Sequence, residues 1–574
     1  MASMDTSESG MAKGLTRYGD AQFSQYLRNA FLRSTGHTRS ATDKPVVGIT
    51  NTFSDYNACH RTVPDLIQAV KRGVLMAGGL PMVFPVISVH EAFSYPSSML
   101  LRNLMAMDVE EMIKAQAMDA VVLIGGCDKT VPALLMGAIS ANLPSILLTA
   151  GPAMTGSFRG ERVGACTDCR RFWADYRAGR KTKEEVEEAN EQLVASAGTC
   201  SVMGTASTMA CLSEAMGLVL PGGASALSVS SERLRLAERT GQRVVGMIEE
   251  NLRPTDLLSE GSIRNAARML QATGGSTNGV IHLAAIAGRL GLKFDLSELN
   301  ALGEGVPMIV DVKPSGQFYM EDFHKAGGVS RILKQLPDRF ELECRTVMGR
   351  SLKETIDDQE LGFPQSAIRE PDDPVYPSNA ITAVFGNLAP KGAVIKRSSA
   401  TESLLVHRGK AVVFDSLDDL LGRIDSDELD VTPNDVLILR NTGPIGAPGM
   451  PEAGFIPIPR KLAREGVRDM VRISDARMSG TAFGTTVLHI SPESAAGGPL
   501  SLVEDGDIIE LNVTEQRIQL LVEEGEMKER AARAEKEDSK RRLPSRGYVR
   551  MYVDNVTQAH EGCDFSFLVP KRRS

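Results

Sequence analysis

The chain has 574 residues, of which 42% are hydrophobic and 24% are charged, with a formal net charge of -8. That length exceeds one ordinary core, so we expect two or more packed units. The absence of a basic stripe with interleaved aromatic residues argues against nucleic-acid binding, and no apolar run is long enough to span a bilayer. Residues 1–14 do not resemble a secretory signal, so we expect a cytoplasmic protein whose eight cysteines are thiols rather than disulfides.

The first part of the chain alternates between short β-rich runs and segments with helical spacing of apolar residues. This alternation predicts a parallel sheet covered by helices on both faces. The predicted strands lie at 45–51, 82–88, 119–125 and 143–151, and the predicted helices at 63–77 and 97–117. In such sheets the functional loops lie at the carboxyl ends of the strands.

After residue 180 the pattern of predicted elements changes, first to mostly helices and then to short strands. Residues 181–197 are expected to form an amphipathic helix, and the chain stays mostly helical to about residue 336. Residues 351–379 are rich in Pro, Asp, Glu and Ser, which favours a domain boundary there. Short strands separated by Gly, Pro and Asp turns follow, and they predict a mainly β-barrel C-terminal domain. We therefore expect an α/β domain at 1–375 and a barrel-like domain at 376–574.

Three cysteines occur in loops marked by Gly or Asn: Cys59 in NACH, Cys127 in GGCDK and Cys200 in GTCSVMG. Each alone is equally well interpreted as a buried packing residue. Three thiolates that converge on iron would leave one coordination position free, whereas a carrier cluster normally uses four protein ligands. An open iron acts as a Lewis acid that can withdraw a hydroxyl group from a substrate.

Three carboxylates, those of Glu91, Asp128 and Glu452, also lie in loop-like contexts. Carboxylate oxygens suit a hard cation such as Mg²⁺, although a surface position is the simpler interpretation of each one alone. Ser479 in RMSGT is either an ordinary turn residue or a base whose pKa a metal lowers. The esterase pattern GxSxG is absent from this segment.

Other cysteines and histidines leave more alternatives open. Cys166 and Cys169 form a CxxC pair, which is typical of a redox pair or half a zinc site, but a second pair is missing. His60 and His90 stand beside Cys59 and Glu91, where they could support ligands. Three cysteines are expected to be packing residues: Cys211, Cys344 and Cys563.

Taken together, these motifs resemble the dihydroxy-acid and sugar-acid dehydratase family, which includes phosphogluconate dehydratase. The matching segments run in the family's order from about residue 45 to 500: NACH, GGCDKTVPALLMGA, GTCSVMGTASTM, GGSTNGVIHL, FGNLAPKGAVIK, GPIGAPGMPEAG and SDARMSGTAFGTTVLHISPE. The resemblance implies an α/β N-terminal domain and a β-barrel C-terminal domain. It also implies a homodimer or homotetramer that acts on a small polyhydroxy acid without nucleic-acid or membrane partners.

The resemblance further implies a role for each matching residue. The cluster ligands would be Cys59, Cys127 and Cys200, on a [2Fe-2S] cluster or, alternatively, a [4Fe-4S] cluster. The ligands of Mg²⁺, or of Mn²⁺ in its place, would be Glu91, Asp128, a carbamylated Lys129 and Glu452. Ser479 would be the base, with Thr481 beside it. Most of these ligands lie in the predicted α/β domain, whereas Glu452 and the serine lie in the predicted barrel domain.

Several segments resemble the sugar-acid branch, which includes arabinonate and xylonate dehydratases: VMGTASTM, TDCRRFWADYRAG and SGTAFGTTVLHISPESAAGGPLSLV. Ser201-Val202 departs from that branch, as does the C-terminus FLVPKRRS, which offers no histidine. The expected reaction converts an aldonate such as L-arabinonate, D-xylonate or D-gluconate to its 2-keto-3-deoxy acid. The alternative is a dihydroxy-acid dehydratase of branched-chain amino-acid synthesis, or an enzyme that accepts both substrates. The ordered motifs disfavour an electron carrier, a redox sensor and a zinc-stabilised binding module.

Overall fold

A four-stranded parallel sheet organises the first part of the molecule, in a computed structural model that describes residues 9–15, 18–538 and 544–570. Its strands have the spatial order β2-β1-β3-β4, where the bounds are β1 Val46–Asn51, β2 Leu80–Pro85, β3 Ala120–Gly125 and β4 Ser145–Thr149. The two central strands and β4 are almost wholly buried, as expected when helices cover both faces. All four predicted strands are present within a few residues of the expected bounds.

Fifteen helices are described in this part of the chain, together with a β-hairpin. The helices are α1 Ala21–Ser34, α2 Val63–Met76, α3 Arg102–Ala115, α4 Thr130–Ala141, α5 Thr167–Arg177, α6 Lys183–Asn190, α7 Thr205–Ala215, α8 Ser231–Glu249, α9 Pro254–Leu257, α10 Glu260–Thr273, α11 Asn278–Arg289, α12 Leu296–Gly303, α13 Met320–Lys325, α14 Gly328–Gln335 and α15 Leu352–Asp357. The hairpin strands are β5 Gly156–Phe158 and β6 Glu161–Val163.

Helices α2 and α8 pack at backbone contact because glycines face each other across the crossing. A Cβ atom on Gly73 would lie 2.0 Å from the Glu238 carbonyl oxygen, and one on Gly241 would lie 2.2 Å from that of Val70. Since real Cβ atoms do not approach other atoms so closely, only glycine permits this spacing. The crossing fixes α2, which directly follows the first cysteine loop.

The predicted helix at 181–197 is shorter than expected. It starts with a capping box, in which the Thr182 hydroxyl accepts from the Glu185 amide and the Glu185 carboxylate accepts from the Thr182 amide. The helix ends at Asn190 because the following backbone is used elsewhere: the Leu193 carbonyl accepts from the Ala165 amide. Helical periodicity continues in the sequence beyond the point where tertiary hydrogen bonds end the helix.

Eight strands close a mixed barrel in the second part of the molecule, in the order β10-β11-β12-β8-β7-β14-β13-β9. The bounds are β7 Ile381–Gly386, β8 Ala389–Lys396, β9 Val406–Phe414, β10 Val436–Leu439, β11 Arg472–Ser474, β12 Thr486–Ser491, β13 Ile508–Asn512 and β14 Arg517–Leu520. Four helices accompany them: α16 Leu417–Arg423, α17 Arg460–Arg464, α18 Glu524–Asp538 and α19 Gly547–Asn555. The predicted combination of an α/β unit and a β-barrel is confirmed.

Strand β8 shows how the barrel meets the α/β unit. Ala393 and Ile395 pack in the barrel core, whereas Val394 between them belongs to the core cluster that surrounds the parallel sheet. Successive side chains of a strand point to opposite faces, so this strand contributes to both cores. The predicted boundary at residue 375 falls between α15 and β7, in a segment without helix or strand.

The C-terminal segment returns to the α/β unit. The Arg102 guanidinium, fully buried on α3, donates to the carbonyl oxygens of Gly562 and Cys563, each at 2.8 Å. Arg289 on α11 forms a buried ion pair with Asp564. Within the described ranges, no helix has the length and apolar character needed to cross a membrane.

Candidate active site

The predicted cysteines gather at the carboxyl ends of the parallel strands. Cys59 lies in a short helical turn in the loop after β1, and Cys127 follows β3 almost directly. Behind β4, the Thr199 amide donates to the Gly151 carbonyl at 3.0 Å, which brings Cys200 to the same edge of the sheet. The parallel sheet therefore unites three loops that are distant in sequence.

His60 joins the first two cysteine loops. Its Nε2 accepts from the backbone N–H groups of Gly126 at 2.9 Å and Cys127 at 3.1 Å. Nε2 must therefore be unprotonated, so Nδ1 carries the hydrogen and donates to the Thr52 carbonyl at 2.9 Å. Burial lowers the pKa of His60 to about 4, which keeps the ring neutral. These hydrogen bonds allow His60 to support the two cysteine loops, which is the role suggested by its position beside Cys59.

Four thiols and one imidazole occupy the resulting thiol pocket, defined by Cys59, Cys127, Cys166, Cys200 and His90. The ligand atoms of Cys59, His90 and Cys127 lie within 4.8 Å of one another and could hold a metal ion. The Cys166 and Cys200 sulfurs are 3.8 Å apart. A hydrogen bond with the Cys127 thiol and burial together raise the pKa of Cys59.

A carboxylate centre lies beside the thiol pocket. The Nζ atom of Lys129, which is 1% exposed, lies 2.9 Å from Glu91 Oε2, 3.3 Å from Glu452 Oε1 and 3.5 Å from Asp128 Oδ2. Burial acts to lower the pKa of Lys129, but the negative charges of Glu91 and Glu452 outweigh it and raise that pKa. Asp128 also raises the pKa of Cys59, so the two groups of ligands adjoin at this residue.

The sequence reasoning did not single out Arg477 and Asn278, which complete the carboxylate centre. Arg477 is fully buried; its Nη1 donates to Glu452 Oε1 at 3.2 Å and its Nε to the Met450 carbonyl at 2.8 Å. Asn278 Nδ2 donates to Glu452 Oε1 at 3.3 Å. The sequence signal for Arg477 was its position inside the motif SDARMSG. A buried arginine requires acceptors, so an arginine within a site motif indicates nearby carboxylates or carbonyls.

Glu91 is held as a carboxylate despite its burial. Burial acts to raise its pKa, but the cations of Lys129 and Arg477 lower it well below the usual range. The Ser97 hydroxyl donates to Glu91 Oε1 at 2.9 Å, and the hydroxyl and amide of Ser98 donate to Oε2. The acidic group is thus oriented and ionised before any ligand binds.

The loop between β11 and β12 carries Ser479 and Thr481, whose hydroxyl oxygens are 2.8 Å apart. Gly480 between them allows close packing against the α/β unit, because a Cβ there would lie 2.6 Å from Ser276 Oγ and 2.7 Å from the Thr205 nitrogen. The serine loop adjoins the carboxylate centre, because Asn278 Nδ2 also donates to the carbonyl of the preceding Met478 at 3.1 Å.

The two donor sets suit the groups that the resemblance implies. Thiolates and imidazole suit iron, and the carboxylates suit a hard cation. A cation already stands among the three carboxylates in the form of the Lys129 ammonium, and the buried Asn278 Oδ1 has no hydrogen-bond partner within the described residues. The chemistry of these donors therefore fits one thiol-bound metal group and one oxygen-bound cation.

All nine predicted site residues occupy this one region, where the strand ends of the sheet meet the barrel. Cys166 lies there as well, beyond the predicted set. The other cysteines lie outside the thiol pocket, and Cys211 and Cys563 are fully buried in hydrophobic clusters, as expected of packing residues. All eight cysteines are free thiols.

Comparison with known proteins identifies the family. Residues 44–355 match the N-terminal domain, and residues 366–563 the C-terminal domain, of the dihydroxy-acid/6-phosphogluconate dehydratases. An L-arabinonate dehydratase of Rhizobium leguminosarum is 43% identical over 96% of this chain and 95% of its own length. A 6-deoxy-6-sulfo-D-gluconate dehydratase of Pseudomonas putida is 42% identical over 92% and 90%.

A third relative, a dihydroxy-acid dehydratase of Agathobacter rectalis, is 35% identical over 94% of this chain and 97% of its own length. The two sugar-acid enzymes are thus more similar to this chain than the branched-chain enzyme, which supports the predicted resemblance to the sugar-acid branch. The chain belongs to the dihydroxy-acid/6-phosphogluconate dehydratase family and is an enzyme, a hydro-lyase.

Proposed function

We propose that the enzyme removes water from an aldonic acid and releases the 2-keto-3-deoxy acid. The observation that carries the proposal is the meeting of the thiol pocket and the carboxylate centre at Asp128, beside the Ser479 loop. Identities of 42–43% to the sugar-acid enzymes, against 35–36% to dihydroxy-acid dehydratases, favour an aldonate. The second candidate is the branched-chain reaction, supported by the shared family alone.

Two bound groups belong to the proposal. Cys59, Cys127 and Cys200 would hold an iron–sulfur cluster, of the [2Fe-2S] type in preference to [4Fe-4S]. Glu91, Asp128, Glu452 and a carbamylated Lys129 would hold Mg²⁺ or Mn²⁺. When bound, these groups would supply Lewis acidity toward the leaving C3 hydroxyl and the substrate carboxylate.

Ser479 would remove the C2 proton. The electrons of the C2–H bond form the C2–C3 double bond as the C3–O bond breaks, and the leaving hydroxyl departs as water with the proton that Ser479 has taken up. The resulting enol tautomerises to the ketone. A serine hydroxyl is a weak base near neutral pH, so its alkoxide needs stabilisation. Thr481 can provide this, because its hydroxyl lies 2.8 Å and its amide nitrogen 3.4 Å from Ser479 Oγ. Once Ser479 is deprotonated, the Thr481 hydroxyl must act as the donor.

The proposal extends to assembly and location. We expect a homodimer or homotetramer, which light scattering coupled to size-exclusion chromatography would measure. We also expect a reducing compartment such as the cytoplasm, since eight free thiols are typical of one.

The test is a substrate panel with anaerobically purified enzyme. L-arabinonate, D-xylonate, D-gluconate and 2,3-dihydroxyisovalerate are compared by kcat/KM for formation of the 2-keto acid. We expect at least one aldonate to exceed 2,3-dihydroxyisovalerate by about tenfold or more, equivalent to about 1.4 kcal/mol of transition-state binding. A higher kcat/KM on 2,3-dihydroxyisovalerate than on every aldonate would refute the aldonate assignment.

Iron and sulfide counts, with electron paramagnetic resonance of the reduced protein, distinguish the cluster types. Two irons and two sulfides per chain are expected. Four of each would establish the [4Fe-4S] alternative, and zinc without iron would contradict the cluster assignment.

A further inference from the structure

The CxxC pair Cys166 and Cys169 is not used by the proposed function, yet Cys166 lies in the thiol pocket. Cys166 is the residue immediately before α5, and Cys169 follows within the first turn of that helix. The Cys166 thiol forms a hydrogen bond with the Cys169 thiol, and the Cys166 sulfur lies 3.8 Å from the sulfur of Cys200. The pocket thus offers one thiol more than the three assigned to the cluster.

The spacing of the sulfurs suits a shared metal. Two thiolates bound tetrahedrally to one metal ion at about 2.3 Å lie about 3.8 Å apart. Cys166 and Cys200 already have this separation. Cys166 also interacts electrostatically with Cys59, another thiol of the pocket. Four protein thiolates are the usual complement of an iron–sulfur cluster that has no open position.

The backbone around Cys166 is held in place from both parts of the molecule. The hydroxyl of the next residue, Thr167, donates to the Thr481 carbonyl at 3.1 Å. Asp168 is buried, and its carboxylate accepts from the Gly164 amide at 2.9 Å and binds Lys313 Nζ at 3.0 Å. In addition, the N-terminal end of α5, a helix of 11 residues, favours a negatively charged sulfur at Cys166.

We propose that Cys166 supplies a fourth protein thiolate to the iron–sulfur group in the substrate-free enzyme, and that the substrate hydroxyl displaces it. The inference rests on the proposed function. In the exchange an iron–sulfur bond is replaced by an iron–oxygen bond, and no atom changes oxidation state. The released sulfur keeps its electron pair and its hydrogen bond from the Cys169 thiol. The resting site is thereby closed to water and oxygen until substrate binds.

The decisive measurement is made on the wild-type protein, loaded and reduced anaerobically in ¹⁷O-enriched water without substrate. Electron–nuclear double resonance detects oxygen bound to the cluster iron. We expect no ¹⁷O coupling in the wild type and a clear coupling in Cys166→Ala, which offers no donor atom and leaves the iron open to water. A coupling of equal size in both proteins would overturn the proposal. So would a Cys166–Cys169 disulfide in the loaded wild type, detected by mass spectrometry.

A second readout is the loss of the cluster's visible absorption in air. Cys166→Ala should lose it about five- to tenfold faster than the wild type, because its iron would be accessible to oxygen without displacement of a thiolate. The matched control is Cys344→Ala, which changes a partly buried thiol outside the pocket and should decay at the wild-type rate. Equal decay in all three proteins would count against the proposal.

The failures can be told apart. A wild type without iron and sulfide would refute the proposed function and this inference with it. A wild type that contains the cluster and turns over, but shows ¹⁷O coupling without substrate, would refute this inference alone. If Cys166→Ala lost most of its iron, Cys166 would be a permanent ligand, which also overturns a displaceable role.

Discussion

Two lysines are buried in this molecule to the same extent, and their surroundings are opposite. Lys129 and Lys396 are each 1% exposed. Lys129 lies among three carboxylates, and its pKa is raised. Lys396, at the end of β8, has no hydrogen-bond partner for Nζ among the described residues, and burial alone lowers its pKa to about 7. Burial thus opposes both charges, and the neighbouring carboxylates decide the outcome.

The carboxylate centre around Lys129 stabilises a positive charge, whereas the surroundings of Lys396 bury a lysine without stabilising its charge. At Lys129 the carboxylates would repel one another without a positive charge between them, so the pocket favours a cation of any kind. At Lys396 the protein gains nothing from the charge. Substitutions at Lys129, Thr481 and Lys396 test this difference and its extension to Ser479.

The largest effect is expected for Lys129→Met. Removing the ammonium leaves three carboxylates with Arg477 as their remaining close cation, which should lower stability by about 3–5 kcal/mol. Turnover should fall at least about 10³-fold, because methionine cannot supply the carbamate oxygen that the proposed Mg²⁺ site takes from Lys129. Addition of MgCl₂ should restore most of the lost stability, since carboxylates bind this ion, but not the turnover.

Thermal unfolding with and without MgCl₂, together with turnover measurements, checks this prediction. The control is Lys114→Met, which removes a partly exposed lysine that pairs with Glu110 on α3. A Lys129→Met protein as stable as the wild type without Mg²⁺ would contradict the role assigned to the carboxylate centre.

A smaller effect is expected for Thr481→Val, which removes the hydroxyl beside Ser479 Oγ. The alkoxide proposed at Ser479 would depend on neighbouring donors, so loss of one donor should lower kcat about 10- to 100-fold with little change in KM. The ascending limb of the pH–rate profile, where the proposed base loses its proton, should move to higher pH, because an alkoxide with fewer donors forms less readily.

Thr481→Ser is the matched control, since it keeps the hydroxyl and loses one methyl group. It should retain kcat within about threefold of the wild type. Equal losses in Thr481→Val and Thr481→Ser would point to packing rather than to the hydrogen bond.

The smallest effect is expected for Lys396→Met, and it concerns stability alone. Below pH 7 the wild-type lysine is charged in the folded and unfolded chains, and the cost of burying the charge is fully present. Between pH 7 and 10.5 the folded chain has released the proton and the unfolded chain has not, so stability rises with pH. Lys396→Met should be more stable at pH 7 by about 2–5 kcal/mol and should lack this rise.

Denaturant unfolding at pH 7, 8.5 and 10 measures the difference between the two proteins. Lys293→Met, a change at an exposed lysine, should match the wild type at every pH within about 0.5 kcal/mol. If Lys396→Met were destabilised and MgCl₂ affected it as it affects Lys129→Met, the two lysines would belong to the same kind of site.

The sequence predicted the parallel sheet and the barrel because apolar runs and turn residues are local signals. It also indicated that Cys59 and Cys127 follow strand ends, since that follows from the order of the elements, whereas Cys200 reaches the same edge through the hydrogen bond between Thr199 and Gly151. The ordered motifs then gave the complete candidate set through the family resemblance. The end of α6 at Asn190 was not predictable, because tertiary hydrogen bonds stop that helix.

The residues that contact the predicted ligands could not be predicted from the sequence. Arg477 and Asn278 contact Glu452 through a fold that brings residues 25 and 174 positions apart together. A single sequence contains no signal for such pairings. Cys166 was visible as half of a CxxC, but its distance from Cys200 depends on how the α5 loop packs against the barrel.

The hydrogen bonds of Arg102 with the last part of the chain have a consequence for synthesis on the ribosome. The acceptor carbonyl of Cys563 is translated 461 residues after Arg102. At about 5–20 residues per second, this delay is about 20–90 s. During that time a side chain that is fully buried in the finished protein lacks two of its acceptors. These two hydrogen bonds of the α/β unit therefore form only after residues 562–563 have been synthesised.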